Sequence, residues 1–399
     1  MIHCFFLPRW KNFDEILGGE EIRPYELITS LANLGEEVWV LLEEDPSSRP
    51  PLSPQIHFFP LPWHPPKPLH DLILPPLLLS KLLSLRYRRS SETILFYSKA
   101  PTALGWLKVG IPYHENPGYW LFPCLNALGF STIAMIHDLE PEHSQRAKAR
   151  GRITPHPHPR WKAFEQGWAV RHARFAWTVS PELKEAISSR WHFPSSRCFV
   201  FYPGVNPELV KSLTPPKPSG IFTLGYVGSL WDADLMILLK AFYRLKEKDF
   251  PIRLKLGGVG IEKLSKEIPA RFRKDVEFCS RILYAQFPLF ATDVDLWVIP
   301  YGRAPYLDMA IQLKIPILLS SFRPVLVERT RALERSPFSS WIIFYHGREE
   351  ELARTIEEVL NSYPRFLDHA ERARETLLRT ATWSDRTREW LHFLQEAFK

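Results

Sequence analysis

One pattern occurs twice in this chain, and it restricts the fold more than any other feature. Residues 2–7 (Ile-His-Cys-Phe-Phe-Leu) are an apolar run that reads as a buried strand. A glycine pair, Gly18-Gly19, precedes a helix expected from Glu20-Glu21 to Asn33-Leu34, which Gly35 stops. Val38 to Leu42 is the next strand. After residue 220 the pattern restarts: strand Phe222–Val227, turn Gly228-Ser229, amphipathic helix Leu235–Leu245, strand Ile252–Leu256, and Gly257-Gly258. Two βαβ units, each opening its own half, predict an α/β protein with two doubly wound, Rossmann-like sheets. At 399 residues the chain is too long for one core. The proline-rich stretch 207–220 reads as the linker between halves. The cleft between two such sheets is the expected place for a nucleotide-linked ligand.

The remaining elements follow from the same signals. Residues 46–76 are rich in proline, which argues against a continuous helix or central strand and suggests an irregular excursion. Leu77–Leu85 reads as a short helix ending in Arg86-Tyr87-Arg88-Arg89, and Ile94–Tyr97 as a strand. Ser131–Ile136 is a strand ending at His137-Asp138. Phe175–Val179 is another, followed by a helix capped by Ser180 with Pro181 at its first position. In the second half, strands are expected at 294–299, 315–319 and 342–344, with a helix over 305–314. Helices are expected at 349–360, 364–379 and 384–397.

Net charge is +7, which favours acidic partners such as phosphates, nucleotide sugars or anionic headgroups. No zinc-finger or RNA-recognition signature accompanies it, so nucleic acid is not expected. Cys4, Cys124, Cys198 and Cys279 form no CxxC pair, which argues against a disulfide scaffold and a zinc site. No basic start followed by an apolar run marks a signal peptide, and a cytoplasmic location is the default expectation. Residues 146–174 hold eight Lys and Arg against one acid, Glu165. This run reads either as a solvated face or as an anionic membrane surface contact, peripheral on the inner face. His156-Pro157-His158-Pro159 does not read as a metal site, because proline separates the histidines. The 77–85 helix could join the basic surface, or be buried in the first core; it is too short to span a bilayer.

Several residues stand where chemistry is expected. A glycine turn before a helix lets backbone N–H groups approach an anion, so Gly18 and Gly19 are phosphate-contact candidates. His137 ends a strand on the ligand side of a parallel sheet. Its imidazole can hydrogen-bond a ligand hydroxyl or stabilise developing charge. The alternative is a structural histidine capping the strand.

Seven strings in order resemble the retaining GT-B glycosyltransferases of family 4. They are Gly18-Gly19-Glu20 with Leu31–Val38; Ile136-His137-Asp138-Leu139; Thr178-Val179-Ser180-Pro181-Glu182-Leu183; Tyr202-Pro203-Gly204-Val205-Asn206; Gly225–Leu230; Asp293–Pro300; and Ile315-Pro316-Ile317-Leu318. The resemblance implies two Rossmann-like domains facing a cleft: an acceptor domain over 1–205, a nucleotide-sugar donor domain over 206–382, and a last helix (383–399) packing back on the first. It implies metal-independent, retaining transfer of a sugar, as in hexosyltransferases, from a nucleotide sugar to a carbohydrate or lipid-linked acceptor. Polysaccharide biosynthesis is the expected setting, and no cofactor is expected. It places His137 and Glu115 at the catalytic centre and Glu20 and Asp138 toward the acceptor. Gly18, Gly19, Gly228, Ser229, Tyr301, Asp308 and Lys314 go toward the donor.

The sequence departs from the family where donor chemistry belongs. After Gly228 stands Ser229-Leu230-Trp231-Asp232-Ala233-Asp234, without the usual basic pair. The family's two glutamates lie eight residues apart. Aligning on Pro316 puts Tyr301 and Met309 there, with Asp308 the only acidic neighbour and Lys314 at a usual glycine. Two alternatives therefore stand beside the transferase: a non-catalytic GT-B partner or binding protein, and another two-domain enzyme such as a sugar-nucleotide epimerase.

Overall fold

The computed structural model describes residues 1–7, 11, 13–42, 53–61, 69–99, 104–106, 112–114, 121–139, 142, 159–216, 220–230, 233–302 and 306–399. They divide into two compact units. One comprises 1–12, 25–202 and 387–399, the other 13–24 and 203–386. The segment carrying Gly18 and Gly19 thus belongs with the second body.

The first unit is built on a seven-stranded parallel sheet. Its strands are β1 (Ile2–Leu7), β2 (Glu37–Leu42), β3 (Ile56–Pro60), β4 (Ile94–Lys99), β7 (Ser131–Met135), β8 (Phe175–Thr178) and β9 (Cys198–Val200). The spatial order is β3-β2-β1-β4-β7-β8-β9. Between β4 and β7 in sequence, β5 (Leu104–Trp106) and β6 (Pro112–His114) form a separate antiparallel pair. Cys4 pairs with Trp39 on one side and Phe96 on the other, so β1 is an interior strand, buried from Ile2 to Phe6. That position explains why five of its six residues are apolar, because a strand covered on both faces has no polar side to alternate. The chain reverses its winding between β1 and β4, the kind of place where open α/β sheets bind ligands.

The second unit repeats the plan with six strands. They are β10 (Phe222–Val227), β11 (Ile252–Gly257), β12 (Val276–Cys279), β13 (Leu296–Ile299), β14 (Val325–Glu328) and β15 (Ile343–Tyr345). The order β12-β11-β10-β13-β14-β15 is all parallel, with its switch point between β10 and β13. Fold and class are therefore the double Rossmann arrangement that the paired βαβ units predicted.

Three local expectations are corrected. Residues 315–319 are not a strand: Lys314–Leu319 is a short helix, and the strand is β14 after Pro324. The two runs Ile-Pro-Ile-Leu-Leu and Arg-Pro-Val-Leu-Val look alike. Short apolar runs do not distinguish buried helix from buried strand, and only the valines of the second favour β. No helix fills 305–314 among the described residues; 306–309 is a turn. The proline-rich stretch is also more regular than expected. Ile56–Pro60 is the edge strand β3, with its proline at the end, where a missing donor costs least. A helix runs from Leu69 through Pro75-Pro76 to Arg88. Burial of Leu78, Leu82 and Leu85 offsets the hydrogen bonds those prolines cannot make.

The last helix, Trp383–Ala397, anchors its C-terminal part in the first unit. Trp390 is fully buried and donates Nε1–H to the Tyr97 hydroxyl at 2.9 Å. Tyr97 in turn lies 2.8 Å from Nδ1 of His3, whose ring is wholly buried with Nε2 3.4 Å from Glu36. Burial holds the His3 pKa below its ordinary 6.5, outweighing the nearby Glu36 carboxylate. The sign of the pH effect follows. Below pH 6.5 the unfolded chain takes up a proton that the folded chain refuses, so stability is full above that pH and is lost as pH falls. Glu36, held low chiefly by its bond to His3, acts in the same direction in more acid solution. We expect the urea midpoint to fall from about pH 7 to about pH 5.5, bracketing the histidine range. His3→Gln should flatten that slope; an unchanged slope would assign it to other groups.

Candidate functional site

The carboxyl edge of the second sheet gathers the donor candidates. β10 ends at Val227, and Gly228 follows with φ +149°, a conformation that L side chains rarely adopt. Its N–H donates to Gly257 O at 2.9 Å, and Leu230 N donates to Val259 O at 3.1 Å. The turn after β10 is thus laced to the turn after β11. Gly258, with φ +134°, donates to Cys279 O and presses directly on the Gly228 backbone.

Lys314 closes this turn. It stands at the start of the Lys314–Leu319 helix, and its Nζ donates to Val227 O at 2.9 Å. The ammonium also sits 4.9 Å from the centre of the Tyr226 ring, a cation–π contact. Tyr226 donates its hydroxyl to Ser229 O at 2.9 Å, fixing the turn from below. Lys314 Nζ is so near Gly228 that a Cβ there would collide with it. Gly228, Ser229 and Lys314 are therefore one constellation. Ser229 N–H has no hydrogen-bond partner among the described residues. A positive charge beside an undirected backbone donor at a switch point is chemistry suited to a phosphate oxygen.

The other donor candidates lie around this edge. Tyr301 follows β13 and is buried, next to Gly302 at φ +63°. Gly302 donates its N–H to Glu328, a buried carboxylate at the end of β14. Sequence reasoning missed Glu328, because β14 itself was displaced; the run Val-Leu-Val-Glu was its signal. Burial first, and Glu328 next, push the Tyr345 phenol well above its ordinary range. Asp308 is exposed on a turn rather than carried on a helix, and its carbonyl accepts from Ala332 N at 3.0 Å. Gly18 accepts from Glu21 N and Ile22 N at the start of the Gly19–Asn33 helix, while Glu21 reaches back to Leu17 N at 2.9 Å. That carboxylate already answers one donor near the helix start. A Cβ added at Gly19 would stand in ordinary van der Waals contact with Leu313. Glu20 is in the first turn of the same helix.

The corrected strand also corrects the resemblance. The proline that precedes the strand is Pro324, so the usual glycine two residues earlier is Phe322. That residue has φ +65°, the left-handed backbone a glycine would take. The two glutamate places then fall on Met309 and Ile317, not Tyr301 and Met309. Ile317 is buried and neither is acidic.

In the first unit, His137 follows β7, half-buried, with its ring 5.2 Å from that of Trp177. The Asp138 carbonyl is held by Nε2 of the buried Gln166 at 2.8 Å, a contact the sequence did not single out. Gln166 shares the Pro159–His172 helix with the buried Lys162 and Glu165. Glu115, Asp232 and residues 146–158 lie outside the described residues. Among the described residues, no group of three or more His, Cys, Asp or Glu could hold a metal ion, and no helix is long and apolar enough to cross a membrane.

Comparison with known proteins agrees with this architecture. Residues 17–209, just under half the chain, match the family model described as Glycosyltransferase Family 4. No curated protein matches the chain in sequence. Among solved structures, sucrose-phosphate synthase from Thermosynechococcus elongatus superposes with a TM-score of 0.70 at 15% identity, over 100% of this chain and 99% of that one. HepE from Anabaena, in complex with UDP-glucose, gives 0.65 at 16% identity, over 99% and 100%. The catalytic domain of starch synthase IV from Arabidopsis thaliana, bound to ADP and acarbose, gives 0.67 at 12% identity, over 99% and 98%. Likeness at these identities establishes the GT-B fold.

Proposed function

We propose that this chain is a glycosyltransferase that moves a hexosyl group from a nucleotide sugar to a carbohydrate or lipid-linked acceptor, with retention and without a metal. One observation carries the reading: Lys314 places an ammonium on the glycine turn at the switch point of the second sheet. The family-model match over the first half and the sugar nucleotides in the titles of similar structures support it. The basic pair absent after Gly228 is answered by a cation arriving from the opposite side of the turn. A leaving diphosphate would be stabilised there by Lys314 and the Ser229 N–H, a preorganised electrostatic contribution. His137 would hydrogen-bond a sugar hydroxyl, positioned by Gln166 through the Asp138 backbone. The basic run 146–174 would bring the enzyme to a lipid-linked acceptor.

A second reading, a non-catalytic relative, is favoured by Met309 and Ile317 at the glutamate places. Turnover separates the two. Full-length protein incubated with UDP-, ADP- and GDP-hexoses, in the presence of a chelator, should release nucleoside diphosphate, and NMR of the sugar product should show a retained anomer. His137→Ala should lower kcat about a hundredfold, the usual scale for a positioned proton-handling group. Nucleotide binding without turnover for any donor would establish the non-catalytic reading. Turnover with inversion would refute the retaining mechanism.

A further inference from the structure

A slot lies on the first unit, between the β2–β3 edge of the sheet and the Leu69–Arg88 helix, and the proposed transfer reaction makes no use of it. Trp39 and Leu41 share one face of β2, and Phe59 on β3 pairs beside Leu41. The Trp39 and Phe59 rings stack with centres 4.3 Å apart and planes 6° from parallel, and form one wall. Lys81, Ser84, Leu85 and Arg88 come from the helix, at a spacing that puts them on a single stripe. Leu41, Leu82 and Leu85 are buried and make the floor, while Lys81, Ser84 and Arg88 are exposed and make the rim. The volume is about 90 Å³. Pockets that enclose drug-sized ligands run to roughly 300–1,000 Å³, so a nucleotide sugar does not fit. An apolar cavity of about 150 Å³ encloses benzene. A slot of this size, open along its rim, takes one ring with an edge left in solvent.

The charge around the slot selects what that ring must carry. From Leu72 to Ser91 there is no acidic residue. The flanking acids are engaged elsewhere: Glu37 by Arg89 at 3.1 Å and by Trp39 Nε1–H at 2.7 Å, and Glu92 by Arg89 at 3.0 Å. Neither Lys81 nor Arg88 has a carboxylate or hydrogen-bond partner among the described residues. Arg89 thus absorbs the local negative charge, and the two rim cations are left for a ligand. Because Trp39 Nε1–H is already used, the indole offers the slot only its ring surface, which favours aromatic contact. A neutral ring would leave the cations unanswered, and a small anion without a ring would leave the apolar floor to water.

We infer that the slot binds a small aromatic carboxylate, with its ring against Trp39 and Phe59 and its carboxylate on the guanidinium of Arg88, Lys81 being the second cation of the rim. Arg88 can hold both carboxylate oxygens at once, which an ammonium cannot. The stacked wall fixes the ring and the helical stripe fixes the charged end, so shape and sign are set by different elements. The inference does not depend on transferase activity.

The test is ligand-observed NMR titration of the full chain with phenylacetate, benzyl alcohol and acetate, which carry ring and carboxylate together, the ring alone and the carboxylate alone. Phenylacetate should bind saturably at about millimolar concentration or below, and each partial ligand at least about tenfold more weakly. Arg88→Gln should lower phenylacetate affinity about tenfold, the scale of a hydrogen bond to a charged group. Lys81→Gln should lower it about threefold, the scale of an exposed ion pair. Ser84→Phe should fill the slot from its rim and abolish binding. All three positions are exposed, so thermal unfolding should stay unchanged and a loss of binding is not a loss of fold. No saturable binding of phenylacetate, equal binding of benzyl alcohol or acetate, or unaltered binding in Arg88→Gln or Ser84→Phe would overturn the inference. So would displacement of phenylacetate by UDP or ADP, which would place it at the Gly228 turn.

Discussion

Gly258→Ala is expected to destabilise the second unit by roughly 3 kcal/mol and to abolish nucleotide binding. Gly258 has φ +134°, so any side chain there strains the backbone. Its added Cβ would meet the Gly228 carbonyl oxygen and stand 2.7 Å from the carbonyl carbon. Both are main-chain atoms and cannot swing aside as a flexible side chain would. Relief requires the Gly228 turn to move away from β11, breaking the Gly228 N to Gly257 O bond. Lys314 is seated on that same turn through Val227 O, so the anion site is lost with it. Urea unfolding followed by intrinsic fluorescence measures the first effect. A variant as stable as the parent would show that the two glycine turns are not in fact pressed together. Gly220→Ala is the internal control: it also has positive φ, +73°, but nothing lies within 4 Å of its added Cβ. Strain alone, on the order of 1 kcal/mol, should remain there.

Much of this could be read from the residues, and the failures have definite physical causes. The paired βαβ units were legible because β1 and β10 are mostly apolar runs, each followed by a glycine-containing segment before its helix. Gly228 was legible as a turn, and its contact with Gly258 was not, because two glycine turns thirty residues apart carry no sign of touching. Lys314 was noticed as a cation where the family resemblance placed a glycine. Its actual place, at the start of a helix and bonded to Val227 O, depended on which of two proline-led apolar runs was the strand. Taking Pro316 for Pro324 moved the register by eight residues. It hid Glu328 at the end of β14 and misplaced both glutamate positions. Edge strand β3 was obscured by prolines around it, although Pro60 stands at its end, where an edge tolerates it. The buried pairing of Gln166 with the Asp138 backbone left no local trace, since a glutamine on a helix usually faces solvent.

Lys314→Met should weaken nucleoside diphosphate binding by about ten- to a hundredfold. A hydrogen bond to a charged group contributes roughly 1.5–3 kcal/mol, and each 1.4 kcal/mol is a factor of ten in affinity. Methionine keeps the length and apolar stem of lysine, so packing against Tyr226 is preserved while the ammonium is removed. Lys314→Arg tests a different property. It retains the charge in a larger planar group that must still fit beside Gly228, and partial binding is expected. Loss in the Met variant with partial retention in the Arg variant would assign the effect to charge at this position. Unfolding midpoints of both variants should stay close to the parent, because Val227 is the half-buried last residue of β10 and both substitutions keep the apolar stem.

The central claim is that the Gly228 turn and Lys314 together form a diphosphate site in place of the missing basic pair. Calorimetric titration of the full chain with UDP and with ADP, repeated on Lys314→Met, addresses it directly. The account predicts saturable binding of at least one nucleotide by the parent and at least a tenfold loss in the variant, in keeping with a lost charge-assisted contact. Binding of equal strength in Lys314→Met, or no binding of either nucleotide by the parent at millimolar concentration, would contradict it.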